Sequence, residues 1–176
     1  MFQGFRWNLD EPRTLVEVGS YEGESAMWLA RMVMKSPLSR LYCIDPWADA
    51  EATYSRFDAN IGELPNRDQI TVMRSTSVEG LMRLNTDGVK ADFVYIDGSH
   101  AAPDVLADLV LSFPLVKLGG YVVCDDYLWD DPKYGGDDIV GRPKIAIDAF
   151  TTIYARKIFI ARGLPKQQAA FRKVAE

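Results

Sequence analysis

The chain has 176 residues, 48% of them hydrophobic, with 20 basic against 25 acidic side chains and a formal net charge of −5. That length supports one globular domain over residues 1–176 with a proper core and leaves little room for two. The acidic balance argues against a nucleic acid partner or an anionic membrane surface.

The start, Met1 to Asp10, lacks the apolar centre of a signal peptide, and no apolar run approaches the length of a membrane span, so a cytoplasmic location is expected. Thr14-Leu-Val-Glu-Val reads as a strand that breaks at Gly19. A turn over Gly19–Gly23 leads into a helix from Glu24, with Met27, Ala30, Val33 and Met34 at helical spacing and Ser36-Pro37 closing the segment. Arg40 to Ile44 is a second strand ending at Asp45. Asp49 to Ile61 is helical, and Leu64-Pro65-Asn66 breaks it. Ile70–Arg74 forms a third strand, Ser77 caps a helix through Leu84, and Asn85–Gly88 turns the chain.

The fourth strand, Phe93-Val-Tyr-Ile96, is apolar without alternation, as suits a strand covered on both faces, and it gives way at once to Asp97-Gly-Ser-His100. Pro103 opens a helix whose Val105, Leu106, Leu109, Val110 and Phe113 make an apolar face; Lys117-Leu-Gly-Gly ends it. Gly120–Cys124 is a fifth strand followed directly by Asp125 and Asp126. Tyr127 to Arg142, rich in proline, glycine and aspartate, is expected to be a long loop at a strand's carboxyl end, able to cover a site. Lys144–Ile153 is helical, Arg156–Ile160 is a strand, and Gln168–Val174 a final antiparallel one. Cys43 and Cys124 each close an apolar strand, which predicts buried free thiols.

Alternating strands and helices predict an α/β, Rossmann-like fold with a parallel sheet wrapped by helices, and ligands in such sheets bind beyond the strands' carboxyl ends. Three stretches there carry chemistry. Glu17-Val-Gly-Ser-Tyr-Glu-Gly-Glu-Ser25 is a glycine-rich strand-to-helix turn that lets a ligand approach the backbone and meet free amides; it has neither dinucleotide-type nor phosphate-loop spacing, and the plain alternative is a tight turn. Asp45, at the end of the next strand, is placed to accept both hydroxyls of a ribose, though Pro46 behind it also suits a helix cap. Asp97, His100, Asp125 and Asp126 share one rim, and His100 is the chain's single histidine.

From about Arg13 onward the chain resembles the class I S-adenosylmethionine-dependent methyltransferases, and within them the metal-dependent O-methyltransferases of the catechol type and of the small-molecule and sugar (macrocin) type. The resemblance implies a seven-stranded, mostly parallel sheet in the order 3-2-1-4-5-7-6. It implies S-adenosylmethionine bound by Glu17, Gly19, Ser20, Tyr21, Gly23 and Ser25 in the turn, by Asp45 at the ribose, by Ser77 near the adenine and by Asp97. It also implies a magnesium-like ion on Asp97, Asp125 and Asp126, with His100 as the base and Asp97 beside it in catalysis. Two departures stand out: Ser75 replaces a frequent glycine, and only about a dozen residues precede the first strand, where many relatives carry substrate-capping helices.

An ion on three carboxylates would keep positions open for a substrate hydroxyl, and His100, three residues beyond one ligand, would take its proton. The expected partner is therefore a small-molecule hydroxyl acceptor: a sugar, a phenol or another polar compound, with Trp47, Tyr127, Trp129 and Tyr134 as candidate pocket aromatics. A homo-oligomer is left open. Competing readings are a non-catalytic cofactor-binding protein, which would not need His100 and the aspartates, and a nicotinamide oxidoreductase, which would want other glycine spacing. A nucleic-acid methyltransferase would be expected to show an Asn/Asp-Pro-Pro-Tyr-type motif where Asp97-Gly-Ser-His stands. Arg142, Lys144, Arg156, Lys157 and Arg162 form either a local basic patch or scattered solvated charges.

Overall fold

The computed structural model describes residues 10–48, 51–130, 132–134, 138–161, 165 and 167–176. Seven strands form one sheet: β1 (Thr14–Val18), β2 (Arg40–Asp45), β3 (Ile70–Arg74), β4 (Ala91–Ile96), β5 (Val116–Cys124), β6 (Ile158–Ile160) and β7 (Ala169–Lys173). Their order is β3-β2-β1-β4-β5-β7-β6, as expected, with β1 to β5 parallel and β7 antiparallel to both of its neighbours. Among the described residues, five helices cover the sheet: α1 (Glu24–Met32), α2 (Glu51–Gly62), α3 (Ser77–Thr86), α4 (Ala102–Ser112) and α5 (Pro143–Ile153).

Strand side chains alternate between faces, so each inner strand feeds two cores at once. Val16, Val94 and Ile96 pack with Leu109, Ile147 and Phe150 on one side; Leu15, Phe93 and Tyr95 pack with Ala26, Leu29 and Phe57 on the other. That double burial is why Phe93–Ile96 of β4 reads as an unbroken apolar run. The two cysteines fall on opposite faces, both buried and free, Cys43 in the second core and Cys124 in the first. No helix among the described residues is long and apolar enough to cross a membrane.

Several boundaries differ from expectation for identifiable reasons. The α3 cap is Thr76, not Ser77: its hydroxyl accepts from Glu79 N while the Glu79 carboxylate accepts from Thr76 N, a reciprocal capping box. α4 stops at Ser112, ahead of Pro114, and Lys117-Leu-Gly-Gly120 lies inside β5 as an irregularity in its pairing with β4. There Gly119 takes φ +84, and a side chain at Gly120 would run into Asp92 O and Val116. β6 begins two residues late because Lys157 N donates back to Tyr154 O in a turn. The stretch after β5 holds two short 3-10 turns, Pro132–Tyr134 and Ile139–Gly141, instead of a wholly irregular loop. The expected start of α2 at Asp49 lies outside the described residues, as does Arg162.

Candidate functional site

Strands β1 and β4 lie side by side with Val18 opposite Ile96, and the chain leaves them in different directions. A cleft of about 1520 Å³ opens beyond their ends. Single small-ligand sites run to roughly 300–1,000 Å³, so there is room for a cofactor and a second molecule.

One wall is the turn from β1 into α1. Gly19 has φ +83, and a Cβ there would stand 2.1 Å from Asp97 O, so the turn rests directly on the end of β4 and only glycine fits. Gly19 N donates to Ile44 O at 2.8 Å. Asp45 closes the turn from β2: its Oδ2 accepts from Ser20 N (3.1 Å) and Tyr21 N (3.0 Å), and its Oδ1 from Trp47 N (2.8 Å). Tyr21 and Trp47 both take positive φ, a conformation these bulky residues adopt only when the surroundings hold them there.

Gly19, Ser20, Tyr21 and Ser25 all face the cleft, as do Asp45 and Ser77. Glu17 and Gly23 do not. Glu17 is fully buried beneath the turn, where its Oε2 accepts from Ser20 Oγ, and burial pushes its carboxyl above the ordinary value. Gly23 takes φ +89 as the residue before α1, against the Phe57 ring. Both shape the turn from behind. Trp47, expected as a pocket aromatic, is buried at 4% exposure between Tyr54 and Phe57 with its indole nitrogen donating to Tyr21 O. Tyr127 donates to Asp148 Oδ1 and is likewise part of the scaffold, whereas Trp129 stays exposed with its ring 5.5 Å from that of His100. The side chain of Tyr134 lies outside the described residues.

The opposite wall is built from side chains at the ends of β4 and β5. Tyr95, two residues before Asp97 and on the same face of β4, donates its phenol to Asp125 Oδ2 and lies 3.3 Å from Asp97 Oδ2. Gln168, just before β7, donates to the same Asp125 oxygen at 2.9 Å, and Asp126 N donates to Asp125 Oδ1 at 2.9 Å. Asp126 has φ +53, which turns its carboxylate to His100: Nε2 is 2.8 Å from Asp126 Oδ2 and 4.0 Å from Asp97 Oδ1. The 2.8 Å approach lacks hydrogen-bond alignment, and the buried Nε2 has no hydrogen-bond partner. Burial first, then the neighbouring Asp125 and Asp126 charges, push the Asp97 carboxyl up to about 7. Burial and Asp125 likewise push the Tyr95 phenol well above its ordinary value.

One ligand atom from each of Asp97, His100 and Asp126 lies within 4.8 Å of the other two, a set whose two carboxylates fit a divalent cation; with the ion on those oxygens, the orphaned imidazole nitrogen keeps its lone pair for a proton. The expected trio of aspartates is thus gathered differently. Asp125 stands outside the group because Tyr95, Gln168 and the backbone occupy both of its oxygens, and His100 stands inside it. Sequence reading missed Tyr95 and Gln168. The period of two along β4 pointed to Tyr95; no local signal pointed to Gln168, which arrives only through the antiparallel docking of β7.

Of the basic residues read as a local patch, Arg142 pairs with Asp130 and Lys144 with Asp148, while Lys157 lies over the Tyr154 ring, which favours scattered charges.

A family model described as "Methyltransferase domain" matches residues 16–127, more than half of the chain. An uncharacterised protein of Acanthamoeba polyphaga mimivirus is 29% identical over 127 residues, covering 65% of this chain and 51% of its own length, so the chain spans about half of that curated relative. Among solved structures, the O-methyltransferase from Bacillus cereus in complex with SAH superposes with a TM-score of 0.70 at 18% identity, over 92% of this chain and 74% of that one. The O-methyltransferase TomG from Streptomyces achromogenes, in complex with SAM, superposes with a TM-score of 0.73 at 18% identity, over 96% and 75%. At these identities the likeness is one of fold.

Proposed function

The chain belongs to the methyltransferase-domain family, and from that premise we propose that it is an S-adenosylmethionine-dependent O-methyltransferase acting on a hydroxyl of a small molecule, with a divalent cation at the acidic rim. The observation that carries the proposal is the meeting of Asp97, His100 and Asp126 at one side of a cleft whose other side is the Gly19 turn and Asp45.

When bound, S-adenosylmethionine would supply the methyl carbon of its sulfonium: the deprotonated acceptor oxygen would form the new C–O bond as the C–S bond breaks, with S-adenosylhomocysteine as the leaving group. The turn gives the cofactor a backbone surface without side chains at Gly19 and a half-buried carboxylate, Asp45, whose Oδ1 has one acceptor position left for a ribose hydroxyl. Ser77 faces the cleft from the start of α3, where the adenine would lie. Magnesium or a similar cation on Asp97 and Asp126 would lower the acceptor's hydroxyl pKa. His100 is proposed to take that proton, with Asp126 stabilising the imidazolium so formed. Asp125 does not face the acceptor; it fixes Asp126 through the backbone and steadies Tyr95 beside Asp97. Trp129 presents an exposed ring 5.5 Å from that of His100, a surface for the acceptor beside the base.

The test is calorimetry with S-adenosylhomocysteine, followed by transfer of labelled methyl from S-adenosylmethionine to a panel of catechols, flavonoids and glycosides with and without chelator. Cofactor binding that survives chelation, with transfer that does not, is the expected outcome. Cofactor binding without transfer to any acceptor class would favour the non-catalytic reading, and full transfer in excess chelator would remove the ion from the mechanism.

A further inference from the structure

Three helices, α1, α3 and α4, begin at the cleft, with Glu24 and Ser25, Ser77 and Val78, and Asp104 on its lining. A helix start exposes free amides and partial positive charge and is a natural seat for phosphate or carboxylate groups. In this chain each of those starts carries an acid in its first turn: Glu24, Glu79 and Asp104. The Glu79 carboxylate folds back on Thr76 N and Oγ, so the start of α3 is already occupied by an anion of its own. In α4, Pro103 removes one amide hydrogen outright.

Side-chain charge points the same way. Among the described residues the cleft is lined by Glu22, Glu24, Asp45, Asp97 and Asp104 and by no lysine or arginine. Of the nearby cations, Arg56 is paired with Glu22 of the lining itself and offsets that one acid, and Arg74 is paired with Glu51 off the lining, so Glu24, Asp45, Asp97 and Asp104 set the sign of the cleft. Sites that hold phosphate groups use arginine forks and lysines, and among the described residues the cleft lining has neither, while each helix start at the cleft carries an acid in its first turn. A divalent cation at the rim would meet the Asp97, Asp125 and Asp126 carboxylates and leave no net positive charge there. Trp28, four residues after Glu24 and on the same face of α1, adds an exposed aromatic surface suited to a sugar ring or to an ammonium group.

We propose that the methyl acceptor is an uncharged or cationic hydroxyl compound, and that Glu24 and Asp104, at the starts of α1 and α4, are the specificity residues that turn away phosphorylated, nucleotide-linked and coenzyme A-linked alternatives. The proposal rests on the O-methyltransferase reading of the same site, yet the sign of the field at the cleft wall can be measured without an acceptor.

Quenching of tryptophan fluorescence in the full chain by iodide and by caesium, with the difference from a Trp28→Phe variant isolating Trp28, reports that sign. Caesium should quench the Trp28 component several-fold more efficiently than iodide, and the double variant Glu24→Gln, Asp104→Asn should bring the two within about twofold. Equal or greater iodide quenching in the unaltered chain overturns the proposal, as does a ratio that the double variant leaves unchanged. A second arm compares glucosamine with glucosamine 6-phosphate, and adenosine with coenzyme A, as competitors of methyl transfer to whichever acceptor in the panel is active. The phosphorylated member should compete at least about tenfold more weakly, and parity or better overturns the proposal. Failure of S-adenosylhomocysteine to bind would sink the underlying reading while leaving the fluorescence result to decide the charge of the wall.

Discussion

The two walls of the cleft are made by different means. The Gly19–Ser25 wall is backbone, tied by amide hydrogens to one carboxylate, Asp45, which already has three donors without any ligand. The rim at the ends of β4 and β5 is side chain: three carboxylates crowd together, Asp97 is raised to about 7 by burial and by its neighbours, and an imidazole nitrogen is left without a hydrogen bond. On the first wall Asp45 is hydrogen-bonded as it stands. The other is under mutual repulsion that a cation would relieve, so the first is suited to binding and the second to chemistry.

If that division is right, variants on the rim should cost turnover and variants in the turn should cost cofactor affinity. The largest effect is expected for Asp126→Ala, which removes from the rim the carboxylate nearest His100: transfer should fall to the level seen with chelator, while calorimetry shows cofactor affinity within about twofold of the unaltered chain. His100→Ala should lose roughly 10²–10⁴-fold in rate, the usual share of a positioned base, and the loss should narrow at high pH where the acceptor ionises unaided. Asp45→Ala lies on the other side of the divide and should weaken cofactor binding by about 1.5–3 kcal/mol, typical of hydrogen bonds involving a charged group. A rim variant that abolished cofactor binding, or an Asp45 variant that spared it, would break the comparison.

A smaller effect sharpens it. Tyr95→Phe leaves Asp125 with Gln168 and the Asp126 amide, so the fold should survive with about 1–2 kcal/mol lost in denaturant unfolding. Turnover should fall by about tenfold and cofactor affinity should hold, since the ring stays in the core and the lost hydroxyl touches only the rim.

The smallest effect concerns a carboxylate away from both walls. Asp108 on α4 is 1% exposed, and burial pushes its carboxyl up to about 6; the nearby Ser77 hydroxyl offsets part of this without reaching hydrogen-bond geometry. A raised folded-state pKa means that the folded chain binds the extra proton between about 4 and about 6. The associated stability is therefore present at low pH and lost as pH rises through about 6. Asp108→Asn should flatten that segment of the curve of melting temperature against pH and raise the melting temperature at pH 7. A variant whose curve keeps its slope would place the titration elsewhere.

What the sequence made legible was whatever is local. The order of the strands follows from alternating apolar runs and helices, and Asp45, Asp97 and Asp126 are found because each stands at the abrupt end of such a run. The capping residue of α3 was off by one because Thr76 and Ser77 are both good caps, and only the reach of Glu79 decides between them. Trp47 looked like a ligand aromatic because it follows Asp45, but its positive φ turns the indole back under the turn, where Phe57 and Tyr54 cover it. Asp125 and Asp126 looked equivalent as neighbours. Their separate duties are set by Tyr95 and by Gln168, 43 positions further on, and no spacing rule spans that distance.

That late contact has a consequence for how the protein is made. A ribosome adding about 5–20 residues per second would deliver β1 to β5 and the whole Gly19 wall, then need roughly 2–9 s more to reach Gln168. Until then Asp125 lacks one of its donors and β5 has an open edge where β7 will dock. The nascent chain would thus acquire its cofactor wall well before its reactive rim is fully braced, which delays the chemistry until synthesis has passed residue 168.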